Sequence, residues 1–144
     1  MPNPHALSET AQRILGLLEE AGEEEICLTM NTIFMPPRTE KAVDELIASL
    51  LVLVNSGYAR MAQVRAPKIG LVNLDIEASI AAVLAIPTYI KFVPEGPYWV
   101  DTRSIGPPYP DLLPNIVLTD DGFAKARQIL TARGWEWWVP RAKK

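Results

Sequence analysis

Residues 43–61 read Val43-Asp-Glu-Leu-Ile-Ala-Ser-Leu-Leu-Val-Leu-Val-Asn-Ser-Gly-Tyr-Ala-Arg-Met61. Val43, Leu46, Ile47, Leu50 and Val54 recur at helical spacing, and Thr39 stands where an N-cap is wanted. Asn55-Ser56-Gly57 end the helix, and Tyr58–Val64 follows as a strand. On a helical wheel Val52 points roughly opposite Val43, Leu50 and Val54, while Leu51 and Leu53 lie on the flanks. The run Leu50–Val54 is therefore apolar nearly all round, which requires cover on more than one side. Another segment of the chain or a second copy of the protein, meeting Val52, can supply it.

Upstream, Ser8 caps an amphipathic helix whose stripe is Ala11, Ile14, Leu15, Leu18 and Ala21, with Gly22 as a left-handed stop. Its far end carries Glu19, Glu20, Glu23, Glu24 and Glu25, a sign that opposes the helix dipole. This acidic stretch reads as a solvated edge or as a docking surface for a basic partner. Residues 26–34 fit a strand by their β-branched content, or a short helix capped by Thr29 with Met30, Ile33 and Phe34 inward. Pro36 and Pro37 end either element.

Downstream, 65–70 read as a turn, and Asp75 caps a third helix with Ile76, Ile80, Val83 and Leu84 on one face, ending at Pro87. Thr88–Val93 and Tyr98–Thr102 pair as a hairpin across Pro94-Glu-Gly-Pro97. Residues 105–114 hold Pro107, Pro108, Pro110 and Pro114 and read as irregular chain. Ile116–Leu118 is a short strand. Thr119 then caps a last helix with Asp120 and Asp121 in its first turn, Phe123, Ala126, Ile129 and Leu130 inside, and Gly134 as its stop. Trp135, Trp137 and Trp138 follow, then Arg141, Lys143 and Lys144.

Two of these stretches together resemble the winged helix-turn-helix superfamily. Residues 43–61 are similar to its third helix running into the first wing strand. Ile116-Val-Leu-Thr-Asp-Asp-Gly-Phe-Ala-Lys-Ala-Arg127 is similar to its returning wing strand, Leu-Thr-x-x-Gly and following helix. The resemblance covers about 8–64 and 115–134. It implies an α+β, winged-helix-like domain spanning 1–144, with 65–115 inserted in or after the wing and 135–144 as an aromatic and basic tail. The departures are the length of that insertion and the prolines after residue 34.

The 14 basic and 17 acidic residues leave a net charge of −3, which excludes a wholesale cationic surface but not a local basic patch. Hydrophobic residues make up 49% of the chain, enough to build a core. One Cys and one His exclude an internal disulfide and a tetrahedral structural zinc site. Cys27, among apolar neighbours, reads as a small core residue, and His5 lies near the terminus. No catalytic arrangement, metal site, phosphate-cradling motif or cofactor is expected. The apolar runs Leu46–Val54 and Ile80–Ile86 are too short to span a bilayer. The first residues lack the order of a signal peptide, so a cytoplasmic protein without a membrane partner is expected.

The resemblance implies a non-catalytic DNA-binding regulator of transcription, a homodimer on double-stranded DNA. Arg38, Thr39 and Lys41 would enter the groove, and Arg60, Arg65 and Lys68 would meet phosphates. The alternative is a protein-binding adaptor or inhibitor that keeps the fold without the DNA surface. Its contacts would come from Val52, from Glu23, Glu24 and Glu25, and from the tryptophans Trp135, Trp137 and Trp138.

Overall fold

The computed structural model describes residues 7–34, 39–64, 71–101 and 115–139. The architecture is mixed α+β. Its elements run α1 (Glu9–Ala21), β1 (Glu23–Glu25), α2 (Ile26–Ile33), α3 (Ala42–Asn55), β2 (Ala59–Val64), β3 (Leu71–Asn73), α4 (Ile76–Leu84), α5 (Ile86–Tyr89), β4 (Ile90–Val93), β5 (Tyr98–Asp101), β6 (Asn115–Leu118) and α6 (Asp120–Arg133). Four strands form one antiparallel sheet in the order β1-β6-β2-β3, and β4 and β5 form a separate hairpin.

The pairing of β2 with β6 joins two segments that are distant in sequence. Ala59 faces Leu118, Arg60 faces Val117, Met61 faces Ile116 and Ala62 faces Asn115. The register is locked at the α3–β2 turn. Thr119 donates its hydroxyl to the carbonyl of Gly57 at 2.6 Å, accepts from the Gly122 amide at 3.0 Å, and donates its own amide to Tyr58 at 3.1 Å. A Cβ on Gly122 would lie 1.9 Å from the Tyr58 carbonyl oxygen, so the start of α6 can sit here only with glycine at that position. The Leu-Thr-x-x-Gly run thus works as a clasp on the Gly57-Tyr58 turn.

The core lies between the sheet and the helices. Ile14, Leu15 and Leu18 of α1 meet Leu46, Leu50 and Leu53 of α3, Met61 and Ile116 of the sheet, and Ala126, Ile129 and Leu130 of α6. Ser8, Asp75 and Thr119 each cap a helix by accepting from the amide three residues on. Gly22 and Gly134 end α1 and α6 with positive φ.

Three expectations change, and one open alternative is resolved. Glu23–Glu25 is a strand at the sheet edge paired with β6. Hydrogen bonding to that strand outweighs the poor β-propensity of glutamate, and the charges discourage further edge pairing. Residues 26–33 are helical, which settles the strand-or-helix question for that segment. Thr39 is not the N-cap of α3: Lys41 holds that position without a side-chain cap bond, and the Thr39 carbonyl accepts from Ala42 instead. On α4 the buried residues are Ser79 and Val83, while Ile76 and Leu84 are exposed, at 44% and 57%. Ser79 directs this orientation, accepting from the Met61 amide at 3.0 Å and donating to the Leu74 carbonyl at 3.3 Å. Helix α3 packs within the chain on α1, α4 and β2, with Leu50, Leu53 and Val54 buried and Val52 41% exposed. Among the described residues, no helix is long and apolar enough to cross a membrane.

Candidate functional site

The tail after α6 folds back on α1. Gly134 ends α6 and accepts from the Trp137 amide at 3.2 Å, and Glu136 accepts from Val139 at 3.1 Å, so 134–139 is a compact turn. Trp138 is buried, seated on the bare backbone of Gly16: a Cβ there would meet its Cδ1 at 2.6 Å. Arg13 donates to the Trp138 carbonyl at 3.1 Å. The half-buried Trp137 ring is flanked by the guanidinium groups of Arg13, at 5.3 Å, and Arg133, at 3.6 Å from its centroid. Arg133 in turn grips Glu9 through two bonds of 2.9 and 3.0 Å and donates to Gln12. That hydrogen bond, first among the causes, holds the Glu9 carboxyl below its ordinary value and raises Arg133 above its own.

This docking leaves a groove of about 220 Å³ between the end of α1 and the tail. Gly16, Leu130 and Trp138 line it together with Trp135, Glu19, Glu20 and Glu136. Three carboxylates and no base stand among these described lining residues. Glu19 is paired with Arg127 at 3.3 Å. Glu20 is exposed and has no ion-pair partner among the described residues. Trp135 keeps 53% of its surface free. An acidic rim beside an exposed indole face suits a cationic side chain, which gains from both the charge and the ring.

The residues assigned to DNA do not converge among the described ones. Arg38, Arg65 and Lys68 lie outside the described residues. Thr39 and Lys41 are exposed at the start of α3, beside the exposed acids Glu40, Asp44 and Glu45. Lys41 borders a second cleft, closed on its far side by α5 and the β4–β5 hairpin. Arg60 is directed inward: its guanidinium donates to the carbonyls of Val54 at 3.3 Å and Ala59 at 2.8 Å, tying the end of α3 to β2. Both bonds are made by Nη1, so one nitrogen of the half-buried guanidinium expected to meet phosphate is engaged.

The residues assigned to a protein partner divide. Trp135 is on the surface, Trp137 is clamped between two arginines, and Trp138 belongs to the core and cannot anchor a partner. Glu23 and Glu24 are half-buried in the edge strand, and Glu25 pairs there through its backbone. The acidic residues that join the tryptophans are Glu19 and Glu20, one helix turn earlier. Glycine at position 16, on the buried face of α1 between Leu15 and Leu17, was the available signal for a tryptophan seat. His5 lies outside the described residues, as does the side chain of Cys27. Among the described residues no group of three His, Cys, Asp or Glu side chains could hold a metal ion.

No family model, curated protein or solved structure gives a significant match to this chain.

Proposed function

We propose that this protein is a non-catalytic, winged-helix-like binding module that takes a basic protein segment into the groove between α1 and the tail. The order helix, strand, helix, helix, strand, with β6 returning beside β2, supports the winged-helix-like reading. The single observation that carries the binding reading is the convergence of Glu19, Glu20, Glu136 and the exposed Trp135 on one groove with no base among its described lining residues. A lysine or arginine of the partner stacks on Trp135 and meets Glu20. The methylene stem lies along the exposed indole of Trp135.

The test uses a Lys/Arg-rich octapeptide titrated by calorimetry at low and high salt. Saturable binding that weakens with salt is expected, and Trp135→Ala and Glu20→Lys should each reduce it about ten-fold. No saturable binding, or binding indifferent to both changes, rejects the groove.

DNA binding is the second reading, and the strand order around α3 is the observation that favours it. Arg38, Thr39 and Lys41 would then enter the groove, and Arg60, Arg65 and Lys68 would carry the phosphate contacts. Affinity for a mixed duplex should fall steeply with salt and drop further in an Arg38→Ala, Lys41→Ala double variant. Absence of binding in low salt dismisses it. A dimer through the exposed Val52 would become a folded monomer on Val52→Glu, and an unchanged solution mass would discard that interface.

A further inference from the structure

The molecule has a second cleft, which shares no lining residue with the groove at the tail. A cleft of about 360 Å³ lies between the start of α3 and the β4–β5 hairpin. Its apolar lining is Val43, Pro87, Ile90, Phe92 and Trp99, and its polar lining is Glu40, Lys41 and Asp44. We propose that this cleft binds a small planar aromatic ligand carrying a protonated amine.

Strand alternation builds the aromatic wall. Ile90 and Phe92 share one face of β4, and the exposed Lys91 lies on the other. Phe92 stands opposite Trp99 in the hairpin register, with ring centroids 5.0 Å apart and planes tilted by 53°. Phe34 packs on the same indole at 6.4 Å. Trp99 is fixed in place as well as buried, because Asn31 of α2 donates to its carbonyl and accepts from its amide, both at 3.1 Å. A wall held this way loses little freedom on binding a flat ring. The volume falls at the small end of ligand pockets.

The sign of the ligand's charge follows from the rim. Glu40 and Asp44 outnumber Lys41, leaving one net negative charge among the described lining residues. A helix start would ordinarily attract an anion, but here the amides of Ala42, Val43 and Asp44 already donate to the carbonyls of Thr39, Glu40 and Lys41. No first-turn donor is left for an anion at those three positions, so the carboxylates decide, and a cation is favoured.

Three probes with one ring and different charge test this: tyramine, 4-ethylphenol and 3-(4-hydroxyphenyl)propanoate. Binding is read from the indole N–H resonance of Trp99, assigned by its loss in Trp99→Phe. Tyramine should give a saturable shift and bind about ten-fold tighter than the propanoate. The Glu40→Gln, Asp44→Asn double variant, changed only at exposed positions, should narrow that ratio and leave 4-ethylphenol unaffected. No saturable shift with any probe overturns the proposal. So does equal affinity for all three, or a ratio that survives in the double variant. The basic-peptide titration is a separate readout, so either site can fail without the other.

Discussion

Two segments of this molecule lie against the helix-and-sheet body, and each is fastened by a buried tryptophan with a cleft at its border. The hairpin β4–β5 is fastened by Trp99, whose backbone exchanges two hydrogen bonds with Asn31. The tail is fastened by Trp138, which sits on Gly16, with Trp137 beside it between two arginines. The first attachment is neutral and directional. The second combines close packing with exposed charge. Anchors of one residue type, placed on different chemistry, give one segment whose hold is indifferent to salt and pH and another whose hold depends on both.

The largest expected effect is at the neutral anchor. Trp99→Ala empties a fully buried site and should cost about 3–5 kcal/mol in urea unfolding. A loss under about 1 kcal/mol would mean that the hairpin is not docked. Asn31→Ala leaves the Trp99 amide and carbonyl unpaired, and about 1–3 kcal/mol should be lost to the same extent at low and high salt. A salt-dependent loss would contradict the neutral character of this attachment.

Gly16→Ala separates the two anchors by sign. In an ordinary helix the change stabilises by about 1 kcal/mol. Here the new methyl meets the Trp138 ring, so a net loss of about 1–2 kcal/mol and a more solvent-exposed tryptophan emission are expected. Stabilisation would show that Trp138 is not seated on Gly16.

The smallest effect is that of acid on the tail. Arg133 holds the folded Glu9 carboxyl below its unfolded value, so as pH falls the unfolded state takes up the proton first. The contribution of this pair is therefore complete above the ordinary carboxylate range and lost as pH drops through the lowered folded value. Both groups are exposed, so the effect is small and screened by salt. The stability difference between the parent and Arg133→Gln should shrink between neutral pH and about pH 3. A difference that grows on acidification would reverse the assigned sign.

Local signals carried much of the fold. Ser8, Asp75 and Thr119 could be read as caps because each precedes an apolar helical run, and the hairpin because its strands are close in sequence, although the first strand, expected from Thr88, starts at Ile90 after the helical turn Ile86–Tyr89. The β2–β6 pairing could also be read, since Gly57 and the Leu-Thr-x-x-Gly run are two halves of one clasp. What escaped depends on partners far along the chain. Three glutamates form a strand only because β6 presents an edge at that place. Ile76 and Leu84 looked buried because α4 is apolar nearly all round, and a single serine bonding to β2 sets which side faces in. Both clefts were illegible for the same reason. Trp99 meets Asn31 across 68 residues, and Arg13 reaches the Trp138 carbonyl across 125.

The most direct test follows the indole N–H resonances of Trp135 and Trp99 in one sample while the basic octapeptide and tyramine are added in turn. The peptide should shift Trp135 and leave Trp99 in place, and tyramine should do the reverse. A peptide that moves Trp99, or leaves Trp135 unmoved at saturation, would contradict a basic-segment groove at the tail.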